Sequence, residues 1–414
     1  MIYTNCHIEN NPEIKDIVVE NGKIKEIIPH REYSSEIETV DLNGKLVIPP
    51  FVESHIHLDA THTAEKFHFL HSASGSLFDG ISNWAKIKAE LTEESIYQNA
   101  LTAVKQEVSH GVQYIRTHVD TDSVNNRAIK ALLKLKEDLK ELVTIQLIAF
   151  PQDGIESHAG AKEKMKEACK LGVDGIGAIP HYEYSHEYAV ASLDFATSLA
   201  AENGLLVDVH CDETDDPSSV GLETLAVKAI EYSLYDRVTA SHTTAMHSYS
   251  DAYMGRRIHG FIDSKINFVA NPLVNVSLQG KFDTFPKRRG ITRVKELLKN
   301  GLNVSFGHDD IQDPWYPIGD GNLLEVLSMG LHLTHMLSHE EVMNAYKLIT
   351  YNGAKTLHID DKNYGIKEGN PANFIVLDSD NFYNVMINKS IVLYSIRNGK
   401  ILAETKPVVT KLNI

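Results

Sequence analysis

Eight times along this chain an apolar, β-branched run leads to a polar residue of a type that binds metals or moves protons. Residues 45–48 lead to His55 and His57, 112–115 to His118, 143–150 to Gln152, and 175–179 to His181. Residues 205–209 lead to His210, 237–241 to His242, 266–270 to Asn271, and 302–306 to Asp309. From His57 onward these polar tips lie 61, 34, 29, 29, 32, 29 and 38 residues apart. A strand, its helix and their loops occupy about 30 residues, so each interval accommodates one helix. The first interval has room for an extra segment, predicted between residues 61 and 84. Helix signals fall inside the intervals: Thr92 followed by Glu93 and Glu94 opens one that stops at Gly111, and Ser338-x-x-Glu341 is a capping box. Continuous apolar runs alternating with helices indicate parallel strands covered on both faces. Eight of them predict an α/β fold, a closed (β/α)8 TIM barrel, in which all strand C-termini converge on one face. That convergence gathers His55, His57, His210, His242 and Asp309, although 254 positions separate the first from the last.

The two ends of the chain read differently. Short strand signals at 16–19 and 23–28 flank Asn21-Gly22, a hairpin turn dipeptide, and similar runs recur at 374–377, 391–396 and 400–402. Neither end has enough strands for a stable domain. They predict one small β-sandwich built from both termini, residues 1–48 and 358–414, with the barrel, residues 49–357, inserted between them.

Charge and cysteine content narrow the function classes. Lys and Arg number 40 against 56 Asp and Glu, a formal net charge of −16. Such a surface repels phosphate backbones and anionic headgroups, which excludes nucleic acid and membrane as first partners and leaves a small molecule. Three cysteines with no C-x-x-C exclude a disulfide scaffold and a cysteine zinc cluster, and fit a reducing compartment. No basic leader pattern precedes an apolar run at the start, and no stretch of 18 apolar residues occurs. The expected location is the cytoplasm.

On a strand, residues i and i+2 point the same way, so His55 and His57 can reach one metal. His210 and Asp309 complete a His3Asp set, which suits Zn²⁺ or Fe²⁺ over Mg²⁺ or Ca²⁺. Such an ion lowers the pKa of bound water to about 7. The H-x-H pattern alone is weak in a chain with 21 histidines; two hydrogen-bonded strand-end imidazoles are the ordinary alternative. Glu213, three positions beyond His210, suits a general acid, against the ordinary role of a Glu at a helix N-terminus. His242 suits the orienting of a hydroxide. Asp309 doubles as ligand and proton acceptor, and Asp310 is either its partner or a helix cap. Trp315 offers a wall for a flat ring, although packing is equally common for Trp. Gln152 matches an amide-like ring edge. The basic stretch Lys287, Arg288, Arg289 and Arg293 reads as a solvated loop, and His118 and His181 read as structural, hydrogen-bonded histidines.

Together these residues resemble the amidohydrolase superfamily and, within it, the bacterial cytosine deaminases. The resemblance covers most of the chain and rests on residues 54–59, 149–152, 208–213, 239–248, 271–275, 306–310 and 313–317. It implies one divalent ion, Fe²⁺ or Zn²⁺, on His55, His57, His210 and Asp309, and a homo-oligomer. It further implies that Glu213 protonates ring N3, that His242 positions and activates the hydroxide, that Gln152 binds the carbonyl and N–H edge, and that Asp310 and Trp315 border a free nucleobase. Two-metal relatives carry a carbamylated Lys where this chain has Ile179-Pro180-His181, so a single metal follows. The chain departs from the family pattern between residues 65 and 74, a slightly longer segment with Phe67, Phe69 and His71 at the expected pocket entrance. The other deaminase design, H-x-E with P-C-x-x-C, is absent. The expected reaction is hydrolytic deamination of cytosine to uracil and ammonia, with hydroxide adding at C4 and Asp309 passing a proton to the leaving amine. The alternatives are isoguanine, 5-methylcytosine or creatinine as substrate, cyclic amide hydrolysis (disfavoured by the missing Lys), and a binding protein without metal (disfavoured by the four ligands).

Overall fold

The computed structural model describes residues 1–64 and 75–412. The divergent 65–74 segment, with Phe67, Phe69 and His71, lies outside the described residues. Strands run in chain order as β1 (Ile2–Ile8), β2 (Ile14–Glu20), β3 (Lys23–Pro29), β4 (Thr39–Ile48), β5 (Phe51–Ile56), β6 (Val112–Asp120), β7 (Thr144–Phe150) and β8 (Gly175–Ile176). They continue as β9 (Leu206–Cys211), β10 (Val238–His242), β11 (Asn267–Ala270), β12 (Val304–Phe306), β13 (Phe374–Leu377), β14 (Val392–Arg397) and β15 (Lys400–Glu404).

β5 to β12 pair in sequential order, and every resolved pairing between them is parallel. A parallel bridge between Ile56 and Asp309 joins the last strand's end to the first. Its hydrogen bonds run from His57 N to Asp309 O at 3.0 Å and from Asp309 N to His55 O at 2.8 Å. The expected eight-stranded barrel is therefore present, and its seam closes through the backbone of three proposed metal ligands.

Two strands differ from the sequence reading. Residues 45–48 do not enter the barrel; they end β4 in the terminal sheet, and the first barrel strand starts at Phe51. Pro49 and Pro50 have no N–H to continue a ladder, so the chain leaves one sheet there and enters the next. β8 stops at Ile176 instead of Ile179, because Pro180 opens a 3-10 turn, Pro180–Tyr182. Pairing nevertheless persists past its end, with Gly177 N donating to Ala149 O at 2.8 Å and His210 N to Ala178 O at 3.0 Å. At Gly175 a Cβ would stand 2.5 Å from Ile148 Cδ1, so only glycine lets the neighbouring strands close in.

Helices pack around the ring where their caps start them. Ser76 caps Leu77–Glu90, Thr92 caps Glu93–Ser109, and Ser338 caps His339–Asn344, the last with the expected Glu341 reciprocal bond. No helix among the described residues is long and apolar enough to cross a membrane.

The termini form one seven-stranded sheet in the order β15-β14-β13-β4-β1-β2-β3. It folds back on itself: Lys23 bridges Pro371, Ile24 N donates to Asn370 O at 2.9 Å, and Ala372 N donates to Gly22 O at 2.8 Å. This is the expected sandwich of both termini. Alternation along its central strands explains how it sits on the barrel. Leu42, Val47, Phe374 and Val376 face the sandwich's own core, whereas Leu46, Ile48, Ile375 and Leu377 join the barrel core.

Candidate active site

Burial and convergence at the strand ends bring the four proposed ligands together. His57 Nε2 lies 2.9 Å from His210 Nε2, and Asp309 Oδ1 lies 3.3 Å from His55 Nε2 and 3.6 Å from His57 Nε2. Two ligand atoms each about 2.1 Å from one ion, at angles of about 90–120°, stand about 3.0–3.6 Å apart. Ligand atoms of His55, His57 and His210 lie within 4.8 Å of one another, as do those of His55, His242 and Asp309. His55 Nε2 and His242 Nε2 are buried with no hydrogen-bond partner. Burial, reinforced by neighbouring rings, holds all four imidazoles well below their usual pKa; they stay neutral, the form that binds metal.

The acids around them point the same way. Asp309 is pushed far up by burial and then by Glu213, Asp313 and Glu53, and Asp310 by burial and then by Asp309 and Asp313. Burial raises Glu213 to about 8. Crowded carboxyls among neutral rings, with no Lys or Arg among the described residues lining the pocket, form a site that a divalent cation would stabilise. The donor set therefore fits one such ion. Strain accompanies it: the backbone takes left-handed values at Asp212 (φ 52°), His242 (67°), Thr243 (45°) and Asp309 (74°), conformations that non-glycine residues keep only where the surroundings impose them.

His57, His210, Asp309, Glu213, His242, Gln152, Asp310 and Trp315 all line one pocket, with Leu77, Ile179, Val274 and Leu278 as its apolar wall. His55 lies beneath it, fully buried. Trp315 stacks over His57 with ring centroids 6.3 Å apart and donates from Nε1 to Leu77 O at 3.3 Å. The indole lies flat because the facing helix has no side chain at Gly80, where a Cβ would sit 2.1 Å from Trp315 Cδ1. Gly80→Ala is expected to displace this wall and lower kcat/KM by about 10²-fold, the cost of a roughly 1 Å misplacement. Metal content should not change, which steady-state kinetics and elemental analysis on the same sample will check.

Several residues near the site had no assigned role. Phe150 stacks on His210 at 4.0 Å. Asn275 Nδ2 and Asn271 Nδ2 lie 3.0 and 3.3 Å from His242 Nδ1. Glu53 accepts from His55 N at 2.9 Å and His308 N at 3.0 Å. Glu53 and Asp208 each lie two positions before a proposed ligand on the same strand, so their direction was readable from spacing. His118 is fully buried inside the barrel. Its Nε2 faces Asp208 Oδ1 at 3.5 Å, a long polar contact, and its ring packs 4.0 Å from that of His55. His181 behaves as expected, its Nδ1 accepting from Glu213 N at 3.4 Å. The basic stretch is a solvated loop only in part: Lys287 and Arg289 are exposed, Ile291 and Thr292 are buried, and the half-buried Arg288 and Arg293 are tied down by Asp283 at 2.7 Å and by Asp251 at 2.9 Å.

Fold and site together define a barrel hydrolase with a centre suited to one divalent ion. The chain belongs to the amidohydrolase family, whose model matches residues 38–403. It is similar to the crystal structure of 5-methylcytosine deaminase from Klebsiella pneumoniae liganded with 5-fluorocytosine, at 42% identity and a TM-score of 0.96, covering 100% of this chain and 99% of that one. The phosphonocytosine complex of the Klebsiella enzyme matches at 41% identity and a TM-score of 0.96, covering 100% of both chains. The N-isopropylammelide isopropyl amidohydrolase of Pseudomonas sp. (strain ADP) is 28% identical over 99% of this chain and 98% of its own length.

Proposed function

We propose that this protein hydrolyses the exocyclic C4–N bond of a free cytosine-type base, releasing ammonia and the corresponding uracil. The observation that carries the reading is Glu213, a buried carboxyl raised to about 8 that shares one pocket with the histidines and Asp309. The similarity to a 5-methylcytosine deaminase over the whole chain supports the ring class.

A divalent ion, Fe²⁺ or Zn²⁺, held by His55, His57, His210 and Asp309 would supply hydroxide at neutral pH by lowering the pKa of water to about 7. The chain's own residues do the rest. Gln152 hydrogen-bonds the carbonyl and N–H edge of the ring, and Trp315 and Asp310 border it. Glu213 donates its proton to N3, which draws electron density from C4 and opens it to the attacking oxygen. His242, its Nδ1 3.0 Å from Asn275 Nδ2 and 3.4 Å from Glu213 Oε1, orients that oxygen. Asp309 takes the proton released and passes it to the amine, which leaves as ammonia.

The apolar wall of Leu77, Ile179, Val274 and Leu278 suits a methyl group at C5. A buried methyl contributes about 0.8 kcal/mol, so kcat/KM for 5-methylcytosine is expected to exceed that for cytosine by about fourfold. Equal or inverted values would remove the methyl from the account.

The pH profile follows from Glu213. A carboxyl raised to about 8 is protonated below that value and ionised above it, so an acid role is available at neutral pH and lost on the alkaline side. A bound cation favours the ionised form, which moves the loss below 8. The expected result is a kcat/KM that falls tenfold per pH unit on the alkaline side, from a midpoint no higher than about 8. A flat profile to pH 9 would contradict the acid role.

A further inference from the structure

Beneath the pocket a chain of side chains crosses the barrel interior from Arg116 to His55. Arg116 Nη1 donates to Asp208 Oδ2 at 2.9 Å. The guanidinium is anchored by Thr239 Oγ1 at 3.1 Å, Gln146 Oε1 at 3.2 Å and Thr356 O at 2.7 Å. Ser241 Oγ donates to the other oxygen of that carboxylate, Asp208 Oδ1, at 2.6 Å. The same Ser241 Oγ lies 2.9 Å from His55 Nδ1. Arg116, Asp208, Ser241 and His55 are all 0% exposed, so bulk water does not compete for these bonds.

Proton counting fixes the direction of the chain. A carboxylate paired with Arg116 accepts and does not donate, and a serine hydroxyl has one proton to give. That proton goes to Asp208, so Ser241 Oγ faces His55 as an acceptor only. His55 Nδ1 must then carry the hydrogen, which leaves the lone pair on Nε2. Nε2 makes no hydrogen bond and stands 3.3 Å from Asp309 Oδ1.

We propose that Ser241 and Asp208 are positioning residues that lock His55 in its Nδ1-protonated tautomer, so that its Nε2 is always presented to a divalent cation. Groups that orient a ligating imidazole in this way are worth about 10–100-fold in metal affinity. The proposal rests on the reading of His55 as a ligand through Nε2, and the test separates the two.

The experiment measures zinc affinity of the full-length protein by chelator competition, together with the ring ¹⁵N shifts of His55 in metal-free protein. Ser241→Ala is expected to bind zinc about 10–100-fold more weakly and to lose the single Nδ1-protonated signature. Ser241→Thr, which keeps a hydroxyl, should restore both. Asp208→Asn offers the serine an amide that can donate in return, so the chain can reverse and the same loss is expected. If that variant fails to fold because Arg116 is left unpaired, the Ser241 pair decides. Zinc uptake abolished by His55→Gln but unchanged, with the tautomer, in Ser241→Ala would overturn the relay alone. Equal uptake by the parent and His55→Gln would overturn the ligand assignment beneath it.

Discussion

Glu213→Gln is expected to lower kcat by about 10²–10⁴-fold, the contribution of a positioned general acid, while metal content stays at the parent level. The substitution keeps shape and removes only the transferable proton. Glu213 is placed from outside the ligand set: the preceding Asp212 is pinned by Gly221 N at 2.9 Å, Leu222 N at 2.8 Å and Ser219 Oγ at 2.7 Å. None of those contacts depends on the Glu213 carboxyl, so the pocket should keep its form and KM should change little. The alkaline fall in kcat/KM should vanish with the acid. Near-parental turnover would refute the role, and a loss of bound metal would instead make Glu213 a ligand.

The second large effect is expected from Asp309. Asp309→Asn is the informative change, because the residue sits at φ 74° and Asn tolerates left-handed backbone better than Ala. The amide removes the ligand's negative charge and the proton acceptor together, so activity is expected to fall by at least about 10⁴-fold. Stability should report the same site independently. In the parent, saturating metal stabilises the folded state by about 4 kcal/mol at a free concentration 1,000 times Kd, seen as a Tm that drops on chelation. The variant should show a much smaller drop. Metal content and a chelation-dependent Tm equal to those of the parent would take Asp309 out of the ligand set.

The meeting of the proposed ligands was legible in the sequence because a parallel barrel turns strand spacing into position: tips about one βα unit apart must meet on one face. His55 and His57 follow from a two-residue period, and Glu213 from its offset past His210. What spacing alone does not convey is which sheet an apolar run joins. Residues 45–48 look like a barrel strand because β4 is covered on both faces, with Leu46 and Ile48 against the barrel core and Val47 against the sandwich core; the break is the Pro49-Pro50 pair. β4 also lies between β1 and β13, an order set by tertiary pairing. The Ser241–Asp208 chain was hidden for a different reason. A serine inside Val238–His242 reads as an ordinary strand residue until the barrel brings it to His55, 186 positions away. Gly80 likewise carries no signal until Trp315 lies across it.

Ammonia release by purified, metal-quantified protein given 5-methylcytosine and cytosine, with isoguanine and creatinine alongside, tests the central claim most directly. Rapid release from the two pyrimidines, with about one divalent ion per chain and none of the activity after chelation, is the expected result. A protein that binds its metal yet releases no ammonia from either pyrimidine would contradict the proposed reaction.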